Sequence, residues 1–188
     1  MIRDLILKNR SYRRFYQEVL PERRLLEDLV DLARLSASGM NLQPLKYRIV
    51  CTAQENARVF PHLKWAGYLK DWDGPREGER PGAYIIMVLD TAIANQCFWD
   101  HGIAAQSILL GAVEKGLGGC MFGSFDREGL RSALGLEDRY QLLMVLALGK
   151  PKETVVLEPV GPAGDIRYHR DADGVHHVPK RSLESLLL

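Results

Sequence analysis

Cysteine is scarce in this chain. Cys51, Cys97 and Cys120 stand far apart and form no CxxC pair. An odd, sparse set excludes a disulfide framework and fits a reducing compartment. Net charge is also nearly absent: 25 basic against 24 acidic side chains leave +1, so no chain-wide field draws in nucleic acid or an anionic membrane. The longest apolar stretch, Ile103 to Val113, is broken by Gln106, Ser107 and Gly111 and is too short to span a bilayer. The first residues, Met1-Ile2-Arg3-Asp4, lack the basic-then-apolar build of a signal peptide. These absences lead us to expect a cytoplasmic, soluble protein with neither nucleic acid nor membrane as partner.

Familiar catalytic motifs are missing too. No G-x-S-x-G elbow gives hydrolase chemistry a handle. The glycines at 116, 118, 119 and 123 follow a helical pattern instead of a strand and do not match G-x-G-x-x-G, which excludes a Rossmann site. His176-His177 falls in a hairpin expected to be exposed and has no third ligand at a suitable spacing, so no metal site is expected.

What is present suffices for one domain over residues 1–188: 46% of the chain is apolar and 26% charged, an ordinary balance for a folded protein. Leu25, Leu26, Leu29, Val30, Leu32 and Ala33 recur at helical spacing after Pro21. Tyr47–Thr52, Tyr84–Leu89 and Leu142–Leu148 read as strands, the second apolar enough to be buried on both faces. Residues 92–116 predict the longest helix, buried and central, stopped by Gly116. Asp126 suits an N-cap for a helix reaching Leu134. Beyond Pro151 the chain turns polar, and Asp171-Ala172-Asp173-Gly174 signals a hairpin between 166–170 and 175–178. The irregular alternation of helices and strands predicts an α+β fold on a mixed or antiparallel sheet. An arm of about residues 152–188, with no core of its own, is expected to pack on something else, such as a second subunit.

Several clusters carry two readings. Arg10-Ser11-Tyr12-Arg13-Arg14 offers guanidinium forks and a hydroxyl suited to phosphate oxygens, or forms a solvated basic turn. In Ser36–Pro44, the amides of Asn41 and Gln43 suit the edge of a flat heterocycle, and Ser38 a ribityl hydroxyl or phosphate. Alternatively they satisfy a turn's own backbone. Gly123 and Ser124 permit close backbone approach to a ligand. Lys180 and Arg181 complete a phosphate site or cap the terminal segment. Asp100-His101 reads as a satisfied helix pair, and Trp65, Tyr68 and Trp72 as either a lid or surface packing.

Taken in order, these segments resemble the nitroreductase family of FMN enzymes. The resemblance rests on R-S-x-R (Arg10, Ser11, Arg13), S-x-S-x-x-N-x-Q-P (Ser36 to Pro44), the helix from Asp100 to the glycines at Gly119, and the terminal P-K-R-S-L-E from Pro179 to Glu184. It implies a three-layer α+β homodimer with intertwined termini and FMN at the subunit interface. FMN phosphate would be held by Arg10, Ser11, Arg13, Lys180 and Arg181, and the flavin would meet Ser38, Asn41, Gln43, Gly123 and Ser124. Reducing equivalents would pass from NADH or NADPH to a small acceptor such as a nitroaromatic or quinone, with no catalytic side chain named. Dehalogenation, flavin reduction and non-catalytic flavin binding are the alternatives. Leu45 stands where many relatives carry an aromatic residue, and the residues adjoining Gly123, where many relatives carry an acid, are not acidic.

Overall fold

Strand alternation explains how one sheet serves two cores. In the computed structural model, which describes residues 1–188, Leu45–Val50 (β1), Ala83–Asp90 (β2), Gly118–Phe122 (β3) and Tyr140–Gly149 (β4) form an antiparallel sheet ordered β1-β2-β4-β3. All eight residues of β2 are buried. Ala83, Ile85 and Met87 face one layer, packing with Leu26 and Leu29 of helix α2 (Arg23–Arg34) and with Ala104, Ala105, Ile108 and Leu109 of α4 (Asp100–Glu114). Tyr84, Ile86 and Val88 face the other, with Val59 of α3 (Ala53–Val59) and Leu130 of α5 (Arg127–Leu134). The result is helices, sheet, helices. Each fully buried aliphatic side chain in these layers contributes roughly 1.5–3 kcal/mol.

The helices start and stop where the chemistry asks. Asp126 caps α5 by accepting from the Gly129 amide, and Gly116 takes φ 74° just beyond α4, a left-handed conformation that suits glycine. α4 is shorter than the expected 92–116. Residues 92–99 are instead turns tied to Asp90, whose carboxylate accepts from the Ala92 amide and whose carbonyl accepts from Ile93. Nor is α4 buried all round, since Ile103 is 41% exposed. Its tightest contact is with α2, where a Cβ on Gly111 would lie 2.4 Å from Leu32 Cδ1.

The long loop after α3 is packed down rather than free. Trp65 meets Phe122 edge-on at 4.6 Å between centroids and Trp72 at 6.1 Å. Trp72 in turn lies beneath Arg170, and Tyr68 against Tyr168, so the loop fastens the C-terminal region to the body. That region forms a second, three-stranded sheet: Val155–Pro159 (β5) runs parallel to His176–Lys180 (β7), and His169–Arg170 (β6) pairs antiparallel with β7 as the hairpin signal predicted. The parallel pairing has no local signal in the sequence. The remaining helix, α1 (Ile2–Lys8), buries no residue.

Candidate functional site

The N-terminal cations owe their positions to the edge of the main sheet. After α1 the chain lies along β3: Ser11 bridges to Gly119, and the Tyr12 amide donates to the Gly119 carbonyl at 3.0 Å. Phe15 is fully buried and anchors the segment. The enclosed Glu153 carboxylate accepts from the Arg13 and Arg14 amides and from Arg170 Nη2 (2.8 Å). This pinning divides the three arginines. Arg14 forks onto Glu79 at 2.8 and 2.7 Å and is thereby neutralised. Arg14 holds the Glu79 carboxyl down at about 2, with the nearby cations Arg76 and Lys152 adding to the effect.

Arg10 and Arg13 have no such partner. Neither forms a salt bridge, nor does Lys180. Arg10 Nη2 donates to the Ile6 carbonyl at 2.6 Å, but its Nε is buried with no acceptor. Arg13, 9% exposed, lies over the Tyr168 ring and donates to the Ser11 carbonyl and to His176 Nε2. Together Arg10, Ser11, Arg13, His176 and Lys180 line a cleft of about 300 Å³. Buried cations without anions are costly. Two guanidiniums, an ammonium, a hydroxyl and an orphaned N–H therefore fit a phosphate group such as that of FMN.

His176 corrects an expectation. Its place in the hairpin suggested exposure, yet it is 1% exposed and forms a wall of the cleft. Burial, reinforced by the charges of Arg13 and Arg170, pushes its imidazole down to about 4. It is therefore neutral at neutral pH: Nε2 accepts from Arg13 and Nδ1 carries the proton, buried without a partner. The two-residue period of a strand explains the selection. His176, Val178 and Lys180 line the cleft, whereas Arg181, beyond the strand, is exposed and does not.

The turn before β1 is built from a different end of α4. Asp100, 4% exposed, accepts from Ser38 Oγ at 2.6 Å and from the Gly39 amide at 2.8 Å. It is thus the anchor of the turn rather than half of a pair with His101. Ser38 Oγ also accepts from the Gln43 amide, so this hydroxyl is engaged within the turn. Met40, Asn41 and Gln43 all sit at positive φ (52°, 56° and 51°). Each such residue costs on the order of 1–3 kcal/mol, and such strain gathers at ligand clamps. Gln43 Nε2 donates to Asn41 Oδ1 at 3.2 Å, and both side chains are exposed. Ser38 and Gln43 border a recess of about 230 Å³ that shares no lining residue with the cationic cleft.

Gly123 and Ser124 lie in the exposed stretch after β3 and border neither hollow. Ser124 accepts from the Lys64 amide through its carbonyl, and Gly123 from Arg127. A larger hollow, about 560 Å³ beside Gln17, Asn56, Phe60 and Arg80, contains none of the residues expected at the site.

Comparison with known proteins agrees with this architecture. The profile described as "Nitroreductase family" matches residues 6–74 and 79–150. An iodotyrosine deiodinase of Thermotoga neapolitana is 27% identical over 174 residues, covering 81% of this chain and 90% of that protein. Among solved structures, a nitroreductase family protein from Streptococcus pneumoniae superposes with a TM-score of 0.70 at 16% identity, covering 90% of this chain and 100% of that one. An FMN-dependent nitroreductase from Clostridium difficile gives 0.64 at 23%, covering 81% and 88%. These two structures speak for the fold. With the profile matched from the cationic segment through the Trp65–Trp72 loop and, after a gap at residues 75–78, on to the end of β4, the chain belongs to the nitroreductase family.

Proposed function

We propose that this protein is an FMN-dependent oxidoreductase. The observation that carries the reading is the meeting of the Arg10, Arg13 and Lys180 side-chain cations in one cleft with no carboxylate in a salt bridge to any of them, in a chain of this family. The chemistry FMN supplies when bound is transfer of reducing equivalents from NADH or NADPH to a small nitroaromatic, quinone or similar acceptor, in ping-pong order. Arg10 and Arg13 neutralise the phosphate, Ser11 adds a hydroxyl donor, and Lys180 closes the cleft from β7. His176 keeps Arg13 aimed while adding no charge of its own. Asn41 and Gln43 present amides to the edge of the heterocycle, where a fixed donor stabilises negative charge on the reduced ring. Gly123, Ser124 and Arg181 join them only across a subunit boundary.

A homodimer follows from the same reading. The strained turn and the cationic cleft share no wall within one chain, so a second copy is what brings them to one ligand. Apolar surface is available for this contact: Trp99 is 79% exposed, Met40 83% and Ile2 62%. Leu183, Leu186 and Leu187 are exposed at the end of the arm, which supports its wrapping onto the partner. No helix is long and apolar enough to cross a membrane.

The purified protein should show oxidised-flavin absorption, release FMN on denaturation, and bleach anaerobically with NADH or NADPH. Arg13→Ala should weaken FMN binding by about 10- to 100-fold, the value of a charged hydrogen bond. A folded, colourless protein that ignores added FMN would overturn the proposal. The deiodinase relative favours one second reading, reductive dehalogenation. Anaerobic incubation of the reduced protein with an iodinated tyrosine decides it: stoichiometric iodide release supports that activity, and intact substrate rejects it.

A further inference from the structure

The small C-terminal sheet brings together what the sequence keeps apart. Its parallel pairing sets Val156 opposite His177, and Glu158, two residues on, shares the face of Val156. Its antiparallel pairing sets His169 directly opposite His177. Each of the three strands thus gives one metal-ligating side chain to the same face, with ligand atoms all within 4.8 Å of one another. The two imidazoles stack in parallel (7° between planes, 4.8 Å between centroids), and Glu158 Oε2 lies 3.0 Å from His177 Nδ1.

We infer that Glu158, His169 and His177 form a binding site for a divalent transition ion of the zinc class. Two imidazoles and one carboxylate, with water completing the shell, are a donor set suited to Zn²⁺ and unsuited to Mg²⁺ or Ca²⁺. Tetrahedral ligands at 2.0–2.2 Å from an ion lie about 3.3 Å apart. The Glu158–His177 pair already has nearly that spacing, and the exposed His169 ring, stacked on His177, would rotate out of that stack to bring a nitrogen in from within 4.8 Å. The other nitrogen of His177 supplies a second, independent argument. Nε2 lies 3.1 Å from Asp171 Oδ2, the carboxylate–histidine arrangement that fixes the tautomer of a metal-binding imidazole, and the ion would take the place of the proton that Nδ1 shares with Glu158.

The absence of a ligand spaced in sequence therefore did not exclude a site, because strand pairing supplies the third donor. An ion here would staple β5, β6 and β7 together. The opposite face of β7 carries His176 and Lys180 into the cationic cleft, so the ion would stiffen one wall of that cleft. The metal site itself does not depend on the proposed flavin chemistry.

The test is isothermal titration of the tag-free full chain with ZnCl₂ and, in parallel, MgCl₂. One Zn²⁺ per chain at micromolar or tighter affinity, no Mg²⁺ response and a raised thermal midpoint with Zn²⁺ are expected. His169→Ala, at an exposed side chain, should lower Zn²⁺ affinity at least tenfold, and Asp171→Asn should lower it by about 10- to 100-fold. A His101→Ala control, at the unrelated Cys97–His101 contact, should leave it unchanged. No saturable Zn²⁺ binding overturns the inference. So does binding that His169→Ala leaves intact.

Discussion

The two sheets of this molecule are held by different forces. The main sheet is built around β2, buried at every position between two apolar layers. In the C-terminal sheet, by contrast, only His176 is fully buried, and it sits against Arg13 and the Tyr168 ring with the charge of Arg170 nearby. Burial is indifferent to pH and salt, whereas ion pairs respond to both. One chain therefore combines a rigid scaffold with an electrostatically mounted appendage, and the cationic cleft lies where they meet.

The contrast can be broken most severely from the core. Ile108→Ala empties space between α4 and the sheet and should cost about 4 kcal/mol in urea unfolding, with little dependence on pH. Next comes Glu79, which ties the N-terminal segment through Arg14. Its folded carboxyl is held at about 2, below the ordinary value of 4.5. The stabilisation, on the order of 3 kcal/mol, is fully present above about pH 4.5 and is lost as pH falls towards 2. Glu79→Gln should be destabilised at pH 7 and should flatten the acid limb of the stability curve. Gly116→Ala forces a Cβ into left-handed backbone and should cost about 1 kcal/mol by thermal denaturation. The smallest effect is expected on the surface of α2: Asp28→Asn, which removes the exposed pair with Arg24, should change stability by less than about 0.5 kcal/mol.

Local chemistry was the readable part of the sequence. β2 announced itself as an unbroken apolar run, α2 by its helical spacing, α5 by Asp126, and the β6–β7 hairpin by Asp171–Gly174. Pairing between distant segments was not readable. Nothing near Glu158 in sequence indicates that it lies beside His177, or near Ser38 that its partner is Asp100. The cationic cluster shows the same division. Arg10, Ser11, Arg13 and Lys180 reach one cleft, but that Arg14 is neutralised depends on Glu79, 65 residues away. Strand alternation was available as a signal and would have separated Lys180 from Arg181 and His176 from His177. A hairpin signal alone does not show which of its faces is covered.

The segment that carries Arg10 and Arg13 has a second consequence. β1 and β3 are the outer strands of the main sheet, and open strand edges invite pairing with other chains. β1 is protected by charge, with exposed Lys46 and Arg48 along it. β3 carries no charged residue at all. Its protection is the Ser11–Tyr12 backbone laid against Gly119. The residues expected to grip a cofactor phosphate thus also act as a seal against aggregation. Damage that peels this segment away would expose both an empty anion site and an adhesive edge, so solubility and cofactor retention should fail together.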